Sequence, residues 1–175
     1  MRAVAGSLNR KLYGLPVAPP LDKREQIGNY KAWPATTPEE SNRRAVYILI
    51  KRSFRFPALS AFDLPENVSS CGQRDTTTVP NQALTLLNNR SIKEQAAAFA
   101  DRLLRETEGH SAAIAALAWR YAYGRTITEE ERHKVAAFIR SQDKSTGDES
   151  ANALKRAVEE LCLALFNTNE FIYLP

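Results

Sequence analysis

The stretch SIKEQAAAFADRLLRE, residues 91–106, decides the fold class of this chain. Its apolar residues recur at positions i, i+3, i+4, i+7 and i+8, namely Ala96, Phe99, Ala100, Leu103 and Leu104. This spacing predicts an amphipathic helix with one buried face, because 3.6 residues make one helical turn. The stretch immediately before it, VPNQALTLLNN, predicts a second, short helix.

Three more helices are predicted towards the end of the chain. SAAIAALAWRYAYG (111–124) stops at Gly124, a natural C-terminal residue, and TEEERHKVAAFIRSQ (128–142) begins with a capping box of Thr128 and Glu131. The last helix covers about residues 150–167, and the apolar ending NTNEFIYLP is expected to pack back on the core. The predicted buried stripes consist of Ile114, Leu117, Ala118, Tyr121, Val135, Phe138, Ile139, Leu154, Ala157, Val158, Leu161, Cys162 and Leu165.

One further helix is predicted from TPEE onwards. Thr37 is its expected N-cap, Pro38 its first residue, and Glu40 the partner in a capping box. Helical spacing then turns the apolar side chains inward and the basic ones outward. The inward set is Val46, Leu49 and Ile50, and the outward set is Arg43, Arg44, Lys51 and Arg52.

The rest of the chain predicts irregular structure. Residues 1–36 contain YGLPVAPPLDK and NYKAWPATTP, whose prolines favour an extended arm, and FRFPALSAFDLPENVSS predicts a long loop over about 55–77. No period-2 pattern typical of strands competes with the helical signals. We therefore expect a mainly α fold, a bundle-like domain of five to six helices over 37–175, preceded by the irregular arm at 1–36.

The charge of the chain is unevenly distributed. Residues 1–60 hold 11 Lys and Arg against 4 Asp and Glu, whereas residues 61–175 hold 13 against 16. A basic front end favours docking on an acidic surface, such as another part of a larger chain. A nucleic-acid surface is the less favoured alternative. It would be formed by Arg43, Arg44, Lys51, Arg52 and Arg55 with Tyr47, Phe54 and Phe56.

No motif for a cofactor or metal is present. The cysteines stand 91 positions apart, and neither His110 nor His133 has a second ligand at metal-binding spacing. We therefore expect no cofactor and no metal in this chain. Cys71 and Cys162 could form a disulfide or remain two free thiols, and both alternatives are open. No apolar run is long enough for a membrane span.

The stretch CGQRDTTTVPNQ, residues 71–82, has two interpretations. In the structural one, Thr78 caps the short helix, Asp75 accepts backbone N–H bonds, and Arg74 pairs with Asp63 or Asp75. That interpretation leaves Asn81 and Gln82 unexplained. In the other, this is a ligand-binding loop. Its candidate ligand-binding residues are Asp63, Cys71, Arg74, Asp75 and Gln82, with no catalytic residue among them.

Several blocks in correct order resemble the DUF1553 (PSD1) family of planctomycete and verrucomicrobial proteins. FDLPENVSSCGQRDTTTVPNQALTLLNN is similar to its D…C..R..T.TP.QAL.LLN block, WRYAYGRTITEEE to its R…GR.PT..E segment, and NTNEFIYLP to its N.NEF.Y ending. LYGLPVAPP is similar to an upstream GGPSV.P segment, although Tyr13 and Leu15 interrupt its small residues. Val79 before Pro80 also departs from the usual Thr-Pro run. The resemblance extends from about residue 8 to 175.

The resemblance implies that this is the C-terminal portion of a larger exported protein of the periplasm or cell envelope. The expected partners are upstream DUF1549-like and cytochrome c-like domains, and Met1 would be an internal start or a fragment boundary. The family has no established activity, so the chain alone is not expected to be an enzyme. The favoured function is a structural or interaction module, in which Thr78, Pro80, Asn88 and Glu170 join the candidate residues at a loop–helix junction. The alternatives are a part of an exported enzyme, with residues 63–82 lining a pocket for a sugar or a haem edge, and a nucleic-acid module.

Overall fold

The computed structural model describes residues 1–21, 36–51, 56–62, 64, 80–145 and 150–173. Across these ranges the chain is mainly helical and forms no strand, so the predicted mainly α class is confirmed. Five of the helices in the described ranges are longer than seven residues. The helices are α1 Arg2–Ala5, α2 Pro38–Ser41, α3 Pro57–Ser60, α4 Pro80–Asn88, α5 Arg90–Thr107, α6 Ser111–Tyr123, α7 Glu129–Ser145, α8 Ser150–Phe166 and α9 Asn169–Ile172.

The chain divides into two compact units. The helical unit combines residues 1–7 with residues 86–175, and the arm unit comprises residues 8–85. The boundary expected between residues 36 and 37 stays a prediction.

The core of the helical unit forms where α5 packs against α8. Phe99 of α5 stacks on Phe166 of α8 with ring centroids 5.8 Å apart, and Phe166 also contacts Phe171 of α9 at 4.9 Å. The small residues Ala100 of α5 and Ala157 of α8 are also buried. The stripes predicted for α5 and α8 are thereby confirmed, as is the return of the apolar ending onto the core.

Side chains fix the start of α5 and join its second half to other helices. Asn89 caps its first turn by accepting a hydrogen bond from the Ser91 amide at 2.9 Å. Further along, Arg102 Nη1 donates to the Val4 carbonyl at 2.9 Å, and its guanidinium lies 3.9 Å from the Tyr121 ring centroid. Arg102 thus holds α1 and α6 against α5, in a contact that spans 98 residues of sequence.

Cys162 is a free thiol on the buried face of α8, where it packs as a small apolar residue, as predicted. Burial raises the pKa of this thiol, because the apolar core disfavours the thiolate. Cys71, the other partner of the disulfide alternative, lies outside the described residues.

In the arm unit, the predicted helix after TPEE ends after one turn. Thr37 is the N-cap as predicted, since its Oγ1 accepts from the Glu40 amide at 3.4 Å, but α2 stops at Ser41. A 3₁₀ turn at Ala45–Tyr47 follows, and Ile48 then forms a parallel bridge with Val17.

The predicted inward stripe of Val46, Leu49 and Ile50 is therefore wrong. Val46 is 75% exposed and Ile50 is exposed as well, whereas Ile48 is only 8% exposed. The Val17 amide donates to the Tyr47 carbonyl and the Leu49 amide to the Val17 carbonyl, both at 2.8 Å. These bonds to the arm replace helical ones, so Ile48, at the bridge, is the residue that turns inward.

The loop predicted over residues 55–77 contains a short helix in its described part. α3 begins at Pro57, whose missing N–H and fixed φ suit the first helical position. Most of the rest of this stretch lies outside the described residues.

The difference in burial between Ile48 and Val46 predicts unequal effects of two truncations. Ile48→Ala should lower the free energy of unfolding by about 2 kcal/mol, because it removes buried methyl groups. Val46→Ala should change it by no more than about 0.5 kcal/mol, because its side chain already contacts water. Urea denaturation of both variants measures the difference. A larger loss in Val46→Ala would indicate that the segment is a helix with the predicted stripe.

Candidate functional site

The structure describes one of the five candidate ligand-binding residues. Gln82 lies in α4 and is buried. Asp63, Cys71, Arg74 and Asp75 lie outside the described residues, as does the predicted cap Thr78. Pro80 does begin α4, as predicted. The ligand-binding loop and its structural alternative both stay predictions.

Arg43 forms a buried polar centre, and its predicted position on the exposed face is wrong. Its side chain is 1% exposed, although helical spacing predicted it on the charged exterior. The guanidinium donates to three backbone carbonyls of the arm, from Nε to Lys11 at 3.3 Å, from Nη1 to Leu15 at 3.2 Å, and from Nη2 to Tyr13. It also lies 3.9 Å from the Tyr47 ring centroid, in cation–π geometry.

Arg43 binds backbone oxygens of residues 11–15, and the apolar side chains of these residues are exposed. Tyr13 and Gly14 have left-handed φ angles of 60° and 94°, and the Tyr13 amide donates to the Tyr47 hydroxyl at 3.1 Å. Tyr13 is 81% exposed and Leu15 is 85% exposed, and Leu12 is exposed as well. We call residues 11–15 the arginine-held turn. Its sequence signal is the Tyr-Gly pair, since glycine is the usual residue where φ is positive.

Arg125 forms a second centre, in the helical unit. Its guanidinium makes a bidentate pair with Glu170 of α9, at 2.6 and 2.8 Å, and another with Glu131 of α7, at 2.7 and 3.0 Å. Glu131 also accepts from the Thr128 amide at 2.8 Å, and its own amide donates to Thr128 Oγ1 at 3.3 Å. The predicted capping box is thus confirmed, and one of its members has a further role. We call Arg125, Glu131 and Glu170 the arginine fork.

The charges of the arginine fork are stabilised by one another. Hydrogen bonds from Arg125 hold the pKa values of Glu131 and Glu170 below their usual range. Those same bonds, with Glu170 as the first acceptor and Glu131 as the second, raise the pKa of Arg125. A general acid needs a carboxyl that retains its proton near neutral pH, and these carboxylates are shifted the opposite way. The fork is therefore suited to fastening α9 to the start of α7.

The fork also joins two blocks of the sequence that resemblance had singled out separately. Arg125 and Glu131 belong to WRYAYGRTITEEE, and Glu170 belongs to NTNEFIYLP. Beside them, the Tyr123 hydroxyl lies 2.9 Å from Thr168 Oγ1. The model of the PSD1 family, described as protein of unknown function (DUF1553), matches residues 1–139. The chain belongs to the DUF1553 family.

The match places most of the DUF1553 chain's polar centres in the family region. Arg43, Arg125 and Glu131 lie within it, whereas Glu170 and the ending NTNEFIYLP lie beyond residue 139. No curated protein and no solved structure matches the chain. The family description names no activity for the DUF1553 chain.

Neither histidine of this DUF1553 chain is part of a metal cluster within the described residues. His110 precedes α6, and its Nδ1 lies 2.9 Å from the Thr107 carbonyl, without capping the helix through its side chain. His133 is exposed on α7. In the part of the chain that the structure describes, no helix is long and apolar enough to cross a membrane.

The burial of Arg43 predicts a contrast with its neighbour. Arg43→Met should lower the free energy of unfolding by about 3 kcal/mol, because it leaves the carbonyls of the turn without their donor. Arg44→Met removes the same charge from an exposed position and should change stability by about 0.5 kcal/mol or less. Urea denaturation of both variants, with an Arg43→Lys variant beside them, is the measurement. Lysine should restore little, because an ammonium cannot bond three carbonyls in a planar fork. Equal effects of the two methionine substitutions would contradict the buried role of Arg43.

The arginine fork predicts a pH dependence of stability. The pKa values of Glu131 and Glu170 are lowered in the folded state, so the stabilisation is present above the unfolded pKa of about 4.3 and is lost as pH falls through the folded values. Arg125→Met should therefore be less stable than wild type at pH 7, and the difference should shrink on acidification below about pH 4. Urea midpoints measured from pH 7 to pH 3 test this. A difference that stays constant over that range would show that packing, rather than ion pairing, explains the effect of the substitution.

Proposed function

We propose that this chain is a structural and interaction module of a larger, exported protein, and that the arginine-held turn docks on another part of that protein. The observation that carries the proposal is the turn itself, where a buried guanidinium fixes the backbone and three apolar side chains face solvent. Large apolar side chains gathered at one exposed place are typical of interaction surfaces.

The turn is held by hydrogen bonds from within the chain itself. Arg43 and the Tyr47 hydroxyl hold the backbone, and Gly14 provides a conformation that other residues adopt only with strain. A surface that is already ordered loses less conformational entropy on binding, which leaves more of the contact energy for affinity. Leu12, Tyr13 and Leu15 would then be the apolar anchors, with tyrosine especially suited to a surface that is partly wet.

Charge indicates the kind of partner. Arg10 directly precedes the turn, and Arg44 directly follows Arg43; both side chains are exposed. Lys11 is also exposed and pairs with Glu40 at 2.8 Å. Residues 1–60 carry an excess of seven positive charges. An apolar turn with a basic rim fits an acidic surface with apolar pockets. We assign that surface to the upstream DUF1549-like or cytochrome c-like domains of a planctomycete-type protein of the periplasm or cell envelope, with no cofactor bound by the chain itself.

The arginine fork supports a structural role in preference to a catalytic one. Its three charged groups are committed to one another, and each is joined to a different element: the α6–α7 connection, α7 and α9. Nothing in this arrangement offers a nucleophile with an adjacent base. The enzyme alternative depends on residues 63–82, of which the structure describes little, and it stays a prediction.

The burial of Arg43 weakens the nucleic-acid alternative. Arg43 belonged to the predicted basic surface, and its guanidinium is buried against backbone carbonyls, where it cannot contact a phosphate. Arg52 and Arg55 lie outside the described residues. No observation in the described part of the chain favours this alternative over a protein partner.

Hydrogen–deuterium exchange tests the docking proposal. Amide exchange is measured for this chain alone and for the longer protein encoded by the same reading frame. Residues 10–16 should exchange about tenfold more slowly in the longer protein, because docking covers the turn, whereas α6 should be unchanged. Leu15→Asp should abolish the added protection, and Leu87→Asp, at another exposed leucine, should not. Equal exchange of residues 10–16 in both proteins, or a reading frame that starts at Met1, would overturn the proposal.

A further inference from the structure

A groove in the helical unit combines an apolar floor with two guanidinium groups. It has a volume of about 270 Å³ and is lined by Ala116, Leu117, Arg120, Thr126, Ile127 and Arg132. α6 contributes the first three of these residues, the α6–α7 connection the next two, and α7 the last. The groove shares none of its residues with the arginine fork or the arginine-held turn.

The two arginines of the groove are less well satisfied than the other arginines described above. Within the described residues, the guanidinium of Arg120 forms no hydrogen bond or ion pair, and its side chain is exposed. Arg132 Nε is buried without a hydrogen-bond partner in the described structure, although the Glu129 carboxylate lies 3.4 Å away. A buried donor that lacks a partner is costly and is normally satisfied by a ligand, an ion or water.

The charge balance of the groove favours a monoanion. Two arginines line the groove, and Arg132 pairs with Glu129 at 3.4 Å. The next two carboxylates of α7 are engaged elsewhere, because Glu130 pairs with Lys134 at 2.7 Å and Glu131 pairs with Arg125. One further negative charge would complete the balance. Arginine side chains bind carboxylates well, because the planar fork matches the two carboxylate oxygens.

The apolar floor and the volume of the groove indicate the polarity and the size of the ligand. Ile127 is buried, and Ala116 and Leu117 are partly buried, so the floor offers apolar contact. The volume holds about nine water-sized groups, which is the size of a benzoate or a short aliphatic acid. A sugar would place several hydroxyl groups against this floor and would leave them without partners.

We propose that this groove binds a small organic monocarboxylate, with its carboxylate between Arg120 and Arg132 and its apolar body on Ala116, Leu117 and Ile127. The proposal goes beyond the docking function and is independent of it. The ligand chemistry follows from three features: an excess guanidinium charge, an orphaned donor and a small apolar floor.

The test is a titration of the intact chain with sodium benzoate at low ionic strength, followed by NMR amide shifts. Shifts should saturate and should map to residues 116–132. Arg120→Gln and Arg132→Gln should each weaken binding about tenfold, which is the effect of losing one charge-assisted hydrogen bond. Arg140→Gln, an exposed arginine elsewhere on α7, is the matched control and should bind as wild type does. Ala116→Leu, which fills the floor and keeps both arginines, should also weaken binding.

Neutral and inorganic probes define the ligand class. Benzamide has the shape of benzoate without its charge and should bind at least about tenfold more weakly. Inorganic phosphate lacks the apolar body and should produce no saturable shift at these residues. The proposal is overturned if benzoate binding does not saturate, if benzamide or phosphate binds as well, or if Arg140→Gln loses as much affinity as the groove variants.

Discussion

A buried guanidinium must be matched by acceptors, and this requirement organises the arm unit. Removing Arg43 from water would cost several kcal/mol if its N–H groups stayed unpaired. The carbonyls of Lys11, Tyr13 and Leu15 supply the match, and they can do so only if the chain bends around the side chain. The chain makes that bend through the positive φ angles of Tyr13 and Gly14. The exposure of the apolar side chains in the same turn follows from it, because carbonyl and side chain cannot both face the guanidinium.

The same interaction recurs in the helical unit with different acceptors. Arg102 bonds a carbonyl of α1 and a carboxylate of its own helix, and Arg125 bonds two carboxylates from separate helices. Each guanidinium also lies near a tyrosine ring, with 3.9 Å for Arg102 and 5.4 Å for Arg125. Planar stacking and a rigid fork are properties that lysine lacks. Arginine thus fastens short or terminal segments, α1 and α9, to the long helices, whose own packing is apolar.

The helical unit was largely predictable from the sequence, whereas the arm unit was not. In α5 and α8 the apolar period and the packing agree, so local pattern and tertiary structure give the same answer. At residues 42–50 they conflict. The spacing of Val46, Leu49 and Ile50 suits a helix, but backbone bonds to Val17 turn Ile48 inward instead. Arg43 was misplaced for the same reason, since its partners lie about 30 residues earlier and no local pattern points to them. The arginine fork was predictable only in part. Thr128 and Glu131 form a recognisable capping box, but the pairing of Arg125 with Glu170 spans 45 residues and has no local pattern. The candidate ligand-binding residues other than Gln82 lie outside the described residues, so the ligand-binding loop stays a prediction.

The single described cysteine has a practical consequence for studying this fold. Cys162 sits at the junction of α5 and α8, completely covered, and burial holds it in the thiol form. A thiol in this state does not react with alkylating reagents until the helices separate, because the thiolate is the nucleophile. In a chain with Cys71 replaced by serine, the rate of alkylation would therefore measure the opening of the core. It would report how often the helical unit opens, at a residue that the chain already contains.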